Sequence, residues 1–181
     1  DNARPWESCI TICNQWSWKP NDRIKSLREC IHMLAKTVGG GGNLLLNISP
    51  MPDGRIERRQ VKRLKEIGRW LSANGEAIYG TDGGPYIPTS WLTSTRKGNM
   101  VYVHLLARPV DTLRLPVPGK LKVRGVSLLH GKALAAKTAH GMLEIALPAL
   151  LPHSNDAVLA VDLDGSARDI AACCAKRSRK P

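Results

Sequence analysis

The sequence predicts an α/β unit followed by an antiparallel β-sandwich, and three observations lead to that prediction. The run at residues 44–48, apolar except for Asn47, lies between a glycine-rich stretch and a turn, which is typical of a short strand buried on both faces. Helical periodicity precedes and follows this strand, as in an α/β barrel or a doubly wound sheet. From residue 91 onward, short alternating segments replace the helical pattern, as in a sandwich.

The chain opens with a predicted strand and an aromatic loop. Residues 8–13 are short, partly alternating and rich in β-branched side chains, which favours a strand. The polar loop at 14–22 then carries Trp16 and Trp18. In a barrel, a loop that follows a strand lies at the face that holds the site.

The first helix is predicted to begin at Ser26 and to end at the glycines 39–42. Ser26 and Glu29 have the spacing of a capping box, in which each side chain bonds a backbone amide that the helix start leaves unpaired. One apolar stripe follows at helical spacing: Leu27, Cys30, Ile31, Leu34 and Val38. The glycine run precedes a strand instead of opening a helix after one, so it is interpreted as helix termination and not as a phosphate cradle.

A second helix is predicted after the core strand. Its stripe comprises Val61, Leu64, Ile67, Gly68 and Leu71, and Asn74-Gly75 supplies a stop. The composition changes near residue 81, where we expect a domain boundary. The strands predicted beyond it are 91–95, 100–106, 112–115, 121–129, 133–138, 142–147 and 157–163. Residues 168–181 are predicted to be a frayed basic tail.

The composition limits the classes of function. A chain of 181 residues with 43% hydrophobic residues is long enough for a packed core, and it has no apolar run of membrane-spanning length. The net charge of +12 raises the prospect of a polyanionic partner. However, much of that charge falls on the predicted solvent face of the second helix: Arg55, Arg58, Arg59, Lys62, Arg63, Lys65 and Arg69. We therefore predict no nucleic-acid partner and no membrane partner.

The metal-binding residue types are scattered. The five cysteines lack paired spacing with histidines, and the five histidines fall on different predicted elements. We expect no metal site, no disulfide framework and no cofactor.

Several motifs resemble the C-terminal portion of the retaining α-L-fucosidases. They are Trp-Glu-Ser-Cys at 6–9, Trp-Ser-Trp at 16–18, the run 41–50, Asp-Gly at 53–54, and the runs 67–71 and 74–81. They occur in order over roughly the first 80 residues, and the family carries a sandwich behind its barrel. One departure is Ser49, where the family usually has glycine before the proline.

The resemblance implies an architecture and an activity. Residues 1–81 would be the last part of a (β/α)8-type barrel, 82–167 the C-terminal sandwich and 168–181 a basic tail. The complete enzyme would hydrolyse α-L-fucosides from glycans with retention, through a covalent fucosyl-enzyme. Such hydrolysis needs two carboxyl groups about 5 Å apart. In the family both lie upstream of the position of Asp1, so the resemblance implies no catalytic residue here.

The resemblance also implies substrate-binding residues. Trp16 occupies an aromatic position that lines the fucose pocket, where an apolar ring can pack the C5 methyl group. The alternative for Trp16 is a tryptophan that closes the barrel end without contacting a ligand. Trp18 is a weaker candidate, and packing is its favoured role. Glu7 is a candidate for acid/base or substrate contact, weighed against the favoured role of a carboxylate that bonds neighbouring loops. Asn47, at the carboxyl end of the core strand, either lies at or next to the site or bonds loop backbone groups, which is the favoured role.

Two alternative functions remain open from the sequence alone. One alternative to part of an enzyme is a non-catalytic carbohydrate-binding module built on the sandwich, which predicts exposed aromatic residues there. The other is an inactive remnant. For the enzyme interpretation, a partial barrel leaves apolar faces exposed. We therefore expect a fucosylated glycan as substrate and, as protein partner, the N-terminal part of the barrel or a second copy. Family members are often secreted, periplasmic or lysosomal, and no signal peptide is visible.

Overall fold

The computed structural model describes residues 5–107, 111–117, 120–151 and 156–175. The helices in these ranges are α1 (Leu27–Gly39) and α2 (Arg58–Asn74), with short 3-10 turns at Gly75–Ala77 and Ala167–Asp169. The strands are β1 (Glu7–Thr11), β2 (Asn43–Asn47), β3 (Asp82–Gly83), β4 (Leu92–Lys97), β5 (Met100–Leu105), β6 (Thr112–Pro116), β7 (Val123–Leu128), β8 (Ala136–Ala139), β9 (Met142–Ala146) and β10 (Ala157–Leu163).

The first part of the chain alternates strand and helix. β1 and β2 pair in parallel over their full lengths, so that Glu7 lies opposite Asn43 and Thr11 opposite Asn47. The predicted parallel pairing is confirmed, but the prediction that the strand at 44–48 is buried on both faces is wrong. Leu45 is 46% exposed. Successive residues of a strand face opposite sides, and the described residues of this chain leave the side that carries Leu45 uncovered.

The predicted capping box forms at the start of α1. The amide N–H of Glu29 donates to Ser26 Oγ at 3.2 Å, and the amide N–H of Ser26 donates to Glu29 Oε2 at 2.7 Å. Arg23 Nη2 lies 2.6 Å from Glu29 Oε1. The helix ends in the glycine run as predicted, and Gly41 takes a left-handed φ of 79°.

Replacing Glu29 with glutamine is expected to remove part of the acid sensitivity of folding. Hydrogen bonds from Arg23 and Ser26 lower the pKa of Glu29 from 4.5 to about 2. Because the pKa is lowered in the folded state, this carboxylate stabilises the folded chain above pH 4.5. That contribution is lost as the pH falls toward 2. The side chain is 41% exposed, so solvent screening keeps the effect below about 1 kcal/mol.

Urea unfolding of both proteins as the pH falls from about 6 to about 2 measures this effect. The parental chain should lose more free energy of unfolding than Glu29→Gln. Equal losses would contradict the assignment.

Two glycines in the helices have opposite surroundings. A methyl group added at Gly39 would meet Thr93 Oγ1 at 2.0 Å and the backbone oxygen of Ser94 at 2.9 Å. Gly68, on the exposed side of α2, has no heavy atom within 4 Å of the same position. The glycine at 39 therefore permits α1 to approach β4 closely, a role beyond the helix termination that the sequence predicted.

Gly39→Ala is expected to lower the free energy of unfolding by about 1–3 kcal/mol, because the Ser94 backbone oxygen cannot move as a side chain would. Gly68→Ala is the matched control, and it should raise stability by about 0.5–1 kcal/mol through helix propensity alone. Chemical unfolding of both variants measures the difference. A shift in the same direction for both would contradict the close approach at Gly39.

Two antiparallel sheets form the predicted β-sandwich. One has the order β3-β4-β5-β10-β7 and the other β6-β9-β8. Alternate residues of the strands meet between the sheets, where Leu92, Val103, Leu113, Ile145 and Leu159 are each no more than 1% exposed. The alternation seen in the sequence thus corresponds to one face of each sheet packed in the core.

The outer face of the five-stranded sheet packs against the helices. Tyr102, Val158 and Ala160 share a buried cluster with Ile31 of α1 and Trp70 of α2. Because the two parts of the chain meet along this face, the helical part does not have a core separate from the sheet.

A row of buried polar groups crosses that contact. His104 Nδ1 lies 2.8 Å from Asp156 Oδ2, and both side chains are fully buried. On the other side of the ring, Nε2 lies 3.5 Å from Thr95 Oγ1, which itself donates to the Ala77 carbonyl oxygen at 2.6 Å. Because the Thr95 hydroxyl donates its only hydrogen to that carbonyl, it can act toward the histidine ring only as an acceptor.

The segment after β10 differs from the frayed tail that the sequence predicts. Ile170 and Ala175 are each 5% exposed. The Cys173 amide donates to the Pro85 carbonyl oxygen at 2.6 Å, and Arg96 Nη1 donates to the Ile170 carbonyl oxygen at 2.9 Å. Buried apolar side chains and hydrogen bonds to the backbone therefore attach 168–175 to the sandwich. The remainder of the predicted tail, 176–181, lies outside the described residues.

Candidate functional site

The candidate site lies at the carboxyl ends of β1 and β2. Because the two strands are parallel and in register, the loop after β1 and the loop after β2 emerge side by side. The first loop carries Trp16 and Trp18, and the second leads through Ser49 to Glu57 at the start of α2. We call these two loops the strand-end loops.

Trp16 has an exposed ring and a fixed backbone. Its side chain belongs to the exposed large hydrophobic groups, and the residue is 61% exposed. Its carbonyl oxygen accepts hydrogen bonds from Ser49 Oγ at 2.9 Å and from Asn47 Nδ2 at 3.3 Å. An apolar surface is thus presented to solvent from a loop held at its backbone, which is the arrangement that an apolar ligand face requires.

Asn47 therefore has the loop-bonding role that was one of its two alternatives in the sequence. Ser49 and Gln60 were not among the predicted site residues. Ser49 is 1% exposed and Gln60 is fully buried. A sequence signal for Gln60 exists, because it is a polar residue one turn before Leu64 on the apolar face of α2.

Trp18 is tied to the second strand-end loop through its ring. Its Nε1 donates to Glu57 Oε2 at 3.2 Å, and the guanidinium of Arg59 also bonds Glu57. The Arg59 hydrogen bond, assisted by that of Trp18, lowers the pKa of Glu57. The carboxylate is thereby kept as an acceptor that orients the Trp18 ring.

Asp22 closes the first strand-end loop upon itself. Its carboxylate accepts from the backbone N–H of Gln15 at 2.8 Å and from that of Arg23 at 2.8 Å. These bonds, the Gln15 bond first, lower the pKa of Asp22. The backbone on both sides of the tryptophans is therefore restrained.

Glu7 lies away from the strand-end loops. It is the first residue of β1, and the length of the strand separates it from the start of the Trp16 loop by about 13 Å. Its neighbour Trp6 donates from Nε1 to the Gly40 carbonyl oxygen at 3.3 Å, at the end of α1. The structure thus brings Trp16 and Trp18 to one end of the strands and leaves Glu7 at the other.

The remaining predictions about ligands concern metals and charge. Among the described residues, no three His, Cys, Asp or Glu side chains are grouped so as to hold a metal ion. The cations Arg58, Lys62, Lys65 and Arg69 are exposed on the side of α2 opposite its buried residues, as the sequence suggested. Neither described helix has the length and apolarity needed to cross a membrane.

Comparisons with known proteins agree on one family. The α-L-fucosidase family model matches residues 1–76. The plasma α-L-fucosidase of Rattus norvegicus is 35% identical over 161 residues, which span 82% of this chain and 35% of that relative. The chain thus spans about a third of the length of this curated relative.

Two solved structures have the same fold. α-L-Fucosidase isoenzyme 1 of Paenibacillus thiaminolyticus matches with a TM-score of 0.79 and 31% identity, over 88% of this chain and 40% of that one. An α-L-fucosidase of Bacteroides thetaiotaomicron, trapped as a covalent intermediate in complex with 2-fluoro-fucosyl fluoride, matches with a TM-score of 0.80 and 25% identity. That match covers 89% of this chain and 38% of the Bacteroides chain. The chain therefore belongs to the α-L-fucosidase family and corresponds to a C-terminal portion of its members.

Proposed function

We propose that this chain forms part of an α-L-fucosidase that hydrolyses α-L-fucosides from glycans with retention. In this function, 1–81 is the last part of the catalytic barrel and 82–167 is the C-terminal sandwich. The order β1-α1-β2-α2 and the parallel pairing of the strands support the barrel assignment. The covalent intermediate trapped in the Bacteroides relative supports a double displacement.

One observation carries the role of this chain: the exposed Trp16 ring on a restrained loop at the carboxyl ends of parallel strands. A fucose residue has a C5 methyl group and ring hydrogens that can pack on such a surface, while polar groups bind its hydroxyls. Trp18, oriented by Glu57, forms the second aromatic position of the same strand-end loops. Glu7 is left out of the proposed site because of its place at the other end of β1.

We assign no catalytic carboxyl group to this chain. Asp22 and Glu57 are each held ionised by hydrogen bonds to loop groups, and Arg55 does the same for Asp53, whose pKa its guanidinium lowers. These carboxylates do not suit the acid that protonates a leaving group, which needs a raised pKa. The nucleophile of a retaining glycosidase is itself ionised, so its place upstream of this chain rests on the family resemblance and not on these pKa values. The three carboxylates are therefore suited to holding the loops.

The uncovered face of β1 and β2 supports a protein partner. Leu45 and its cross-strand neighbour Cys9 are exposed there. The N-terminal part of the barrel would cover this face with further strands, and a second copy of the chain is the alternative. Sedimentation velocity of the purified chain is expected to show association or aggregation. A monodisperse monomer with cooperative unfolding would contradict this expectation.

No observation favours the binding-module alternative. The aromatic residues available on the sandwich are Tyr86, Trp91 and Tyr102, and they are 0%, 6% and 2% exposed. Sugar-binding modules need aromatic rings that can reach the ligand. These three rings belong to the packing of the sandwich and of its contact with the helices.

Hydrolysis of p-nitrophenyl α-L-fucoside tests the proposed function. The chain is assayed alone and mixed with the N-terminal portion of a related fucosidase, and that portion alone serves as the control. We expect activity only in the mixture. Activity of the chain alone would overturn the assignment of no catalytic carboxyl group, and inactivity of the mixture would favour a remnant.

A further inference from the structure

We propose that Ser49 and Gln60 are positioning residues for Trp16, which connect the buried face of α2 to the exposed indole. This inference rests on the proposed function of Trp16 in fucose binding. It adds two residues that act through Trp16 and that do not themselves contact the sugar.

The connection begins at Gln60, which is fully buried on α2. Its Oε1 accepts from the Ser49 amide N–H at 3.0 Å, and its Nε2 donates to the Ser49 carbonyl oxygen at 2.9 Å. One side-chain amide therefore satisfies both backbone groups of a single loop residue. Since buried backbone groups are costly to leave unpaired, this double bond fixes the place of Ser49 relative to the helix.

The connection continues from Ser49 to the first strand-end loop. The hydroxyl of Ser49 donates to the Trp16 carbonyl oxygen at 2.9 Å, and Asn47 Nδ2 adds a second donor at 3.3 Å. Two donors on one carbonyl restrict rotation of the peptide that carries the ring. The backbone from which the exposed indole projects is thus held by Ser49, which is itself fixed by the buried Gln60, and by Asn47.

Ser49 contributes a bond that the residue usual in the resembling family cannot make. Glycine at this position has no hydroxyl, so it can supply the backbone groups for Gln60 but no donor for Trp16. Ser49 is 1% exposed, and a polar group buried to this extent requires a hydrogen-bond partner. The Trp16 carbonyl oxygen is that partner. The hydroxyl of Ser49 therefore gives this chain a hydrogen bond to the Trp16 loop that a glycine at the same position cannot form.

Fluorine NMR of the full chain labelled with 5-fluorotryptophan tests this connection. The chain has five tryptophans, and Trp16→Phe identifies the resonance of Trp16. Ser49→Ala removes the hydroxyl alone, and Gln60→Met removes both bonds to the Ser49 backbone at similar volume. In both variants the Trp16 resonance should shift or broaden, while the resonances of Trp70 and Trp91 stay in place.

Ser94→Ala is the matched control for a purely structural effect. Ser94 is also a fully buried serine, and its hydroxyl donates to the Tyr86 carbonyl oxygen at 3.2 Å, in the sandwich. We expect this variant to lower stability without moving the Trp16 resonance. A change at Trp16 in Ser94→Ala as large as that in Ser49→Ala would overturn the proposal.

A second measurement separates this proposal from the proposed function. In the complemented enzyme, Ser49→Ala should raise KM for p-nitrophenyl α-L-fucoside about two- to tenfold, the worth of one hydrogen bond, and change kcat less. If L-fucose leaves the Trp16 resonance of the parental enzyme unmoved, the role of Trp16 in sugar binding is wrong, whatever Ser49 does. If fucose moves that resonance and Ser49→Ala changes neither it nor KM, the positioning role is wrong.

Discussion

Replacing Trp16 with alanine is expected to lower kcat/KM for p-nitrophenyl α-L-fucoside about 10- to 100-fold in the enzyme that contains this chain. We take the loss as that of burying one large apolar side chain, about 1.5–3 kcal/mol. Each 1.36 kcal/mol corresponds to a factor of ten in rate. Trp16 is 61% exposed, so removal of its ring leaves no large cavity and should change stability little. Steady-state kinetics of the complemented enzyme measure this loss.

Two control variants make that result specific. Trp16→Phe keeps a flat apolar ring and should retain most of the activity. Tyr79→Ala removes the side chain of another aromatic residue that is also 61% exposed. Tyr79 follows the 3-10 turn Gly75–Ala77 at the end of α2. Because a helix that follows a strand returns toward the strand's amino end, Tyr79 is far from the strand-end loops. Unchanged kinetics in Trp16→Ala, or an equal loss in Tyr79→Ala, would contradict the role of Trp16.

The local elements could be predicted because each depends on residues close in sequence. The capping box at Ser26 and Glu29 needs only a spacing of three, and the alternation of Val101 and Val103 marks one face of β5 without knowledge of its neighbours. The same holds for the parallel pairing of the first two strands, because a helix between two strands returns the chain to the same end of a sheet.

The burial of those strands could not be predicted in the same way. An apolar run such as 44–48 indicates that both faces of β2 suit an apolar neighbour, but only the fold determines which neighbours the chain itself supplies. Leu45 is exposed because the helices cover one side only. The packed segment 168–175 shows the reverse case, since alanine and cysteine carry too weak a periodic signal to indicate burial.

The candidate site was predictable in outline and not in its supporting bonds. Trp16 and Trp18 follow a predicted strand, so their meeting with the loop after β2 follows from topology alone. The same rule separates Glu7 from them, since it begins the strand that they follow. The spacing of Gln60 from Leu64 places it on the apolar face of α2. Its bond to Ser49, eleven residues away, depends on how the helix packs against the loop, which the spacing does not show.

Replacing Asp156 with alanine is expected to lower the free energy of unfolding by about 3 kcal/mol. Asp156 and His104 are both buried and lie 2.8 Å apart, between the five-stranded sheet and the helices. Removing one member of a buried pair leaves the other without a partner in a place that water does not reach. We expect the substitution to destabilise both the sheet and the helical part, because the row of buried polar groups continues from His104 through Thr95 to the Ala77 carbonyl oxygen. Urea unfolding followed by tryptophan fluorescence measures it.

Two comparisons distinguish burial from charge as the cause. Glu144→Ala removes a carboxylate that pairs with Arg114 and Lys137 at the surface of the sandwich, and exposed pairs of this kind are worth less than about 1 kcal/mol. The double variant His104→Leu/Asp156→Leu replaces the buried pair with apolar groups and should recover most of the stability that Asp156→Ala loses. Recovery would mean that the cost lies in the orphaned imidazole. A double variant as unstable as Asp156→Ala would mean that the polar row itself holds the sheet to the helices, and that this account of the loss is wrong.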